Sequence, residues 1–163
     1  MITNSVTNQV DKLLIVPILG FALLGNYSLG LQIITMLTIL PGIIFKFALT
    51  SHAIDGKISK NLKRNSILLS FVFVFIGVVI APIVIPIYFQ KYNEVVDIIQ
   101  IMSFSIITIT ISLFYYAKFL GLENGKIPLY GGIISSSIMI SGMIVLGTIF
   151  EAKGIAITHV WSY

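Results

Sequence analysis

Long stretches without a charged residue alternate with short charged segments along most of this chain. Three stretches, 67–89, 98–117 and 127–150, contain no charge. A helix needs about 20 apolar residues to cross the roughly 30 Å hydrocarbon core of a bilayer, and each stretch is long enough. The pattern therefore predicts membrane-spanning helices over about 64–89, 94–120 and 127–150.

The front of the chain holds a longer uncharged stretch, 13–45. At about 1.5 Å per residue, a single helix of that length would overshoot the bilayer. Gly25-Asn26 is the strongest turn signal within it, so we predict one helix over 4–24 and another over 27–51. The first begins with the polar sequence NSVTNQVDK and contains Pro17, near which we expect a kink.

The last segment, 153–163, is mostly apolar but too short to cross a membrane. We interpret it as the start of a sixth span. The predicted fold class is an all-α integral membrane protein, a single domain over 1–163. It is a bundle of five full transmembrane helices plus the start of a sixth.

Composition supports this class, because 57% of the residues are hydrophobic, only 10% are charged, and the mean hydropathy is +1.04. A soluble domain has roughly a quarter of its residues charged. The absence of cysteine excludes disulfides and thiolate metal sites. The cations fall between apolar runs and form no basic groove with aromatics, so we expect no nucleic-acid partner.

The cations also predict an orientation, since cytoplasmic loops carry an excess of Lys and Arg. Only Lys91 and Lys153 fall on one predicted side, and Lys46 lies within a predicted helix. The other side carries Lys12, Lys57, Lys60, Lys63, Arg64, Lys118 and Lys126. We therefore expect a multi-pass protein of the cytoplasmic membrane with its N-terminus in the cytoplasm and membrane lipid as a partner.

Asp11 is the sharpest candidate for a functional residue, because a carboxylate inside a span usually faces a cavity. If the first helix begins later than residue 4, Asp11 is instead an interfacial charge. Lys46 either snorkels to the cytoplasmic surface or contacts a phosphate group there.

Hydroxyl and amide side chains recur at helical spacing in two predicted spans, which places them on shared faces. Each set either lines a cavity or bonds to its own backbone and neighbouring helices. The candidates are Gln32, Thr35 and Thr38 in the second predicted helix, and Ser105, Thr108, Ser112 and Tyr115 or Tyr116 in the fourth.

The fifth predicted helix carries small residues four positions apart, among them Gly131 and Ser135, followed by Gly142. Such spacing lets helix backbones approach closely and indicates a packing face. The face meets either a helix of the same chain or a second chain.

Several chemistries are not supported by the sequence. The loop sequence GLENGKIP has too short a glycine spacing for a phosphate-binding loop. His52 and His159 stand apart from other metal-ligating residues, so we expect no metal and no cofactor. No nucleophile arrangement indicates an enzyme.

Several features of the chain occur in a characteristic order. They are Asp11-Lys12-Leu13-Leu14, the pairs Leu19-Gly20 and Leu24-Gly25, Tyr27-Ser28, Pro41, Lys91-Tyr92 and the sequence EAKGIAIT at 151–158. In this order they resemble the second half of polysaccharide flippases, a family in the superfamily of multidrug and toxin extrusion transporters.

The resemblance implies a C-terminal lobe of six helices that pairs with a similar lobe around a central cavity. There a lipid-linked oligosaccharide passes across the cytoplasmic membrane by alternating access. The first lobe is absent and the sixth helix is short, so the partner would be a separate N-terminal lobe or a second copy. Two alternatives stay open: a cation-coupled multidrug exporter that uses Asp11, and a non-transporting membrane subunit that binds a partner through the Gly131–Ser135 face.

Overall fold

A computed structural model describes the chain over 2–55, 58–88, 95–123 and 125–163, and its side chains from 20 onward except 22, 23 and 52–55. These residues form helices and short turns without a strand. The elements are α1 (Ile2–Asp55), α2 (Lys60–Phe75), a π-helical turn (Ile76–Ile80), α3 (Ala81–Tyr88), α4 (Val95–Ser103), α5 (Ser105–Gly121) and α6 (Lys126–Trp161).

Four helical segments are long and apolar enough to cross a membrane. They are Leu24–Ser51, Lys60–Tyr88, Val95–Gly121 and Lys126–Trp161. The all-helical class is therefore confirmed for the described residues, with four membrane-length segments. The predicted span 4–24 stays a prediction, because the side chains of residues 1–19 lie outside those described.

α1 is interrupted at Gly20. We had predicted the interruption at Gly25-Asn26, as a turn between helices 4–24 and 27–51, and the structure moves it to Gly20. Gly20 has φ 79° and ψ 174°, a conformation that is open almost only to glycine. Asn26 is helical. Tyr27 is fully buried and Gly30 packs against Ile98, so tertiary packing holds this part of α1 in a helix.

The second membrane-length segment, Lys60–Tyr88, consists of α2, the π turn and α3. Pro82 lies just after the π turn and has no N–H, so it cannot donate to the carbonyl of Val78, four residues earlier. Gln100 of α4 compensates, because its Nε2 donates to that carbonyl at 3.0 Å. The irregular turn is thus tied to the neighbouring helix.

This segment packs antiparallel to α4–α5 through small and polar contacts. Ser70 Oγ donates to Thr110 Oγ1 at 2.7 Å, and Lys63 Nζ lies 5.1 Å from the centre of the Tyr115 ring. A Cβ at Gly77 would lie 1.9 Å from Ser103 Oγ, so the close approach there requires glycine.

The helix α6 has two arms, because Glu151 adopts φ 51° and ψ −132° and reverses the chain. A Cβ at Gly154 would lie 1.9 Å from the carbonyl oxygen of Leu146, which shows how closely the arms pack. We name residues 126–150 the long arm and 152–161 the short arm. The predicted boundary between helix 127–150 and segment 153–163 falls at this reversal.

Buried residues of α1, α3, α4 and both arms of α6 form the main core. Ala48 and Phe114 belong to a second cluster, so α1 beyond Gly20 and α4–α5 run in the same direction. The end of the bundle where α1 ends and α2 begins is named the basic end. It carries Lys60, Lys63, Arg64, Lys118 and Lys126.

Candidate functional site on the outer face of α1

One side of α1 is exposed from Gln32 to Thr50, while the opposite side is buried. The buried side includes Tyr27, Ile34, Pro41 and Ala48, which are spaced seven residues apart. We name the exposed side the outer face of α1. It consists of Gln32, Thr35, Met36, Ile39, Leu40, Ile43, Lys46, Phe47 and Thr50.

Polar groups are distributed along this outer face. Thr35 Oγ1 donates to the carbonyl of Leu31 at 2.7 Å, and Thr50 Oγ1 donates to the carbonyl of Lys46 at 3.0 Å. The Gln32 amide forms no hydrogen bond with another described residue and is exposed. Facing hydrocarbon, an unpaired amide is costly, so the position of Gln32 favours contact with water, protein or a polar ligand.

The outer face of α2–α3 is different. Every exposed residue between 66 and 87 is apolar: Leu68, Phe71, Val72, Phe75, Val79, Ile80, Ile83, Val84 and Ile87. Such a surface suits lipid chains and needs no polar partner. The two outer faces therefore differ in how well they suit contact with lipid chains.

Residues on the outer faces of α1 and α2–α3 can be paired by their position along the bundle axis. Leu37 of α1 lies 3.8 Å from the position of a Cβ at Gly77. Because the two segments run antiparallel, Gln32 and Thr35 lie level with residues around Ile83 and Val79. Ile39 correspondingly lies level with Phe75.

The predicted hydroxyl stripe of α5 faces other parts of the bundle. Ser105 is buried and donates to the carbonyl of Met102 at 2.6 Å, and Thr108 is half-buried. Ser112 Oγ donates to the carbonyl of Tyr163 at 2.7 Å. The half-buried Tyr116 has its hydroxyl 3.6 Å from the position of a Cβ at Gly131. The structure therefore does not bring this stripe together with Gln32 and Thr35.

The small residues of the long arm lie mainly against their own chain. A Cβ at Gly142 would lie 2.5 Å from Thr158 Cγ2, and Ser135 Oγ donates to the carbonyl of Ser162. Gly131 is exposed beside Tyr116. The short arm of α6 is thus the neighbour that the long arm packs against at Ser135 and Gly142.

The remaining candidates are separated. Lys46 is exposed on the outer face of α1, towards the basic end of the bundle. The side chains of Asp11 and His52 lie outside those described. His159 is buried in the short arm, with its ring centre 5.1 Å from that of Tyr163. Within the described part of the chain, no three metal-ligating side chains cluster.

Two polar links were not predicted from the sequence. The first is the bond from Gln100 to the Val78 carbonyl. Pro82 in the sequence indicates that a helical carbonyl loses its backbone donor, but the sequence does not identify Gln100 as the replacement donor. The second link is a salt bridge of 2.7 Å between Lys153 Nζ and Asp97 Oδ2. It joins the start of α4 to the short arm at the end of the bundle opposite the basic end.

Comparison with known proteins identifies no relative of this chain. No protein-family model, curated protein or solved structure matches the chain significantly. The class that the fold defines is an all-helical chain, over the described residues, with four helical segments of membrane length.

Proposed function

We propose that this chain is one lobe of a polysaccharide flippase that moves lipid-linked oligosaccharide across the cytoplasmic membrane. The observation that carries the proposal is the polar content of the outer face of α1, compared with the wholly apolar outer face of α2–α3. The first would line a passage shared with a separate N-terminal lobe or a second copy. The second would face lipid.

Such a passage must accept a hydrated glycan without binding it too tightly. Gln32 offers amide donors and acceptors, and the Thr35 hydroxyl can accept a further bond while it donates to Leu31. Between them and Lys46 lie apolar residues such as Ile39 and Ile43. A mixed surface of this kind gives a sugar several weak polar contacts and no deep binding site.

Lys46 would contact the diphosphate that links the glycan to its lipid. It is exposed and lies towards the basic end, where the loop cations predict the cytoplasm. A flexible ammonium is a serviceable phosphate ligand and can follow a moving headgroup. The N-terminus is also cytoplasmic in this proposal, which requires that 4–24 crosses the membrane as predicted.

Alternating access needs places where helices can bend, and two irregular points provide them. Gly20 interrupts α1, and the π turn interrupts α2–α3. Single π-helical turns recur at functional sites and kinks. Rocking of the lobe against its partner would change the bend at these points while the antiparallel contacts persist.

The proposal is tested by measuring flipping of a fluorescent lipid-linked oligosaccharide in proteoliposomes that contain the chain with its partner lobe or copy. The double variant Gln32→Leu with Thr35→Val should reduce the flipping rate at least about tenfold, since two polar contacts of the transition state are removed. The matched control, Val79→Leu with Ile83→Leu, should flip normally. Equal rates in both variants would reject the passage.

A further inference from the structure

The basic end of the bundle contains a groove that the proposed passage does not use. Its volume is about 340 Å³, and it is lined by Lys60, Lys63, Arg64, Ile67 and Leu68. All five residues belong to the first turns of α2, whereas the proposed passage follows α1. The groove is shallow and its lining is almost wholly apolar, so the three cationic side chains line it with their hydrocarbon stems and place their charges at its rim, which we call its mouth.

The cations have no acidic partner among the side chains that the structure describes. Lys63 and Arg64 lie three and four residues after Lys60 on the helix, and like charges at this spacing repel. None of them forms a salt bridge with a side chain that the structure describes. An anion in the groove would remove this repulsion.

The helix itself adds to the positive potential. The N-terminal end of a helix carries a partial positive charge, and cations are usually found at the other end. The residue before α2, Ser59, makes no side-chain capping hydrogen bond, so its hydroxyl does not satisfy the first N–H groups of the helix. The helix terminus and three cations therefore attract the same kind of ligand.

One of the three cations is already held in position. Lys63 Nζ lies 5.1 Å from the centre of the Tyr115 ring on α5, within the range of a cation–π contact. Lys60 and Arg64 flank it and are exposed. The mouth of the groove thus has one positioned ammonium and two exposed cations around it.

The apolar surface next to the cations indicates which kind of anion would bind in the groove. Leu68 is 57% exposed, and Phe71 and Val72 continue the exposed apolar surface along α2. A free phosphate would use only the mouth, whereas an anionic phospholipid would use both parts, its phosphate at the cations and an acyl chain along the apolar surface. We propose that this groove is a binding site for an anionic phospholipid.

The test compares two double variants of equal charge by native mass spectrometry of the full-length protein with added phosphatidylglycerol. Lys60→Gln with Arg64→Gln should weaken the first bound phosphatidylglycerol about 25-fold, since each cation near an anionic lipid contributes roughly a fivefold factor and two are removed. Lys118→Gln with Lys126→Gln removes two other cations of the basic end and should change it less than about twofold. Equal losses in the two variants, or no loss in the first, would overturn the site.

Two further arms identify the source of the phosphate and protect against a folding artefact. Phosphatidylcholine and inorganic phosphate should each bind at least about tenfold more weakly than phosphatidylglycerol, because one lacks the net charge and the other the acyl chain. Inorganic phosphate binding as tightly as the lipid would contradict a lipid site. The exchange Lys60→Arg with Arg64→Lys keeps the charge and should keep the binding.

Discussion

The outer faces of α1 and of α2–α3 occupy equal depths of the bundle and both expose large apolar side chains, yet only the first carries polar groups at mid-span. On α1, Gln32 and Thr35 interrupt the apolar surface. On α2–α3, the residues at the same depth are Val79 and Ile83. If the outer face of α1 lines the proposed passage, the difference means that hydrophobicity alone does not distinguish a lipid-facing surface from one that faces a passage.

The largest expected effect comes from placing a charge at the centre of each face. Phe75→Lys should lower the stability of the inserted protein by about 3 kcal/mol, the cost of a lysine at the centre of a membrane span. Ile39→Lys, at the same depth on α1, should cost less than about 1 kcal/mol, because a passage hydrates the ammonium. Chemical denaturation of both variants, with partner present, measures the difference. Equal costs would show that both faces meet lipid.

A smaller effect is expected where the segments behind the two faces touch. Gly77→Val would place a Cβ 1.9 Å from Ser103 Oγ, and overpacking of this kind costs roughly 1–3 kcal/mol. Gly42→Ala is the matched control on α1, because nothing lies within 4 Å of a Cβ there. In a thermal melt, the first variant should be clearly destabilised and the control unchanged or slightly stabilised. A fully stable Gly77→Val would contradict the close packing.

The π turn behind the apolar face offers a double-mutant cycle. Gln100→Met should cost about 1 kcal/mol, because the Val78 carbonyl loses its side-chain donor. Pro82→Ala restores a backbone N–H that can donate to the same carbonyl. Gln100→Met should therefore cost less in the Pro82→Ala background, as measured by denaturation. Strict additivity would show that the two residues do not serve one carbonyl.

The smallest effect is expected at the end of the bundle opposite the basic end. Asp97→Asn breaks the salt bridge to Lys153, and the two side chains are 52% and 61% exposed respectively. An ion pair this exposed contributes at most about 0.5 kcal/mol, and less at high salt. Glu123→Gln is a suitable control, since Glu123 forms no salt bridge with a described side chain. A loss above about 1.5 kcal/mol, unaffected by salt, would show that the pair is more than a weak surface contact.

Four of the five predicted spans correspond to membrane-length segments, because soluble domains rarely contain an uncharged apolar stretch long enough to cross a bilayer, and the span 4–24 stays a prediction. The sequence also located the end of the long arm at 150, where Glu151 interrupts the apolar run. The position of the break in α1 could not be predicted in the same way. Gly20 and Gly25 are both glycines in an apolar run, and only the burial of Tyr27 beside Gly25 shows which one stays helical.

The candidate residues show a similar division. Spacing correctly groups Ser105, Thr108, Ser112 and Tyr116 along one helix, but it does not identify the neighbour that they face. Ser112 bonds to the carbonyl of Tyr163, a residue far along the chain, and Ser105 bonds to the carbonyl of Met102 in α4. Tertiary contacts of this kind depend on how the arms of α6 fold back, which periodicity does not encode.

The most direct test of the passage uses the absence of cysteine from the chain. Single-cysteine variants at Gln32, Thr35, Val79 and Ile83 can be labelled in intact membranes, with partner present, by a charged maleimide that reacts in water and not in hydrocarbon. A hydrated passage predicts rapid labelling of Gln32→Cys and Thr35→Cys and little labelling of Val79→Cys and Ile83→Cys. Equal labelling of all four, or none at the α1 positions, would contradict a hydrated passage along the outer face of α1.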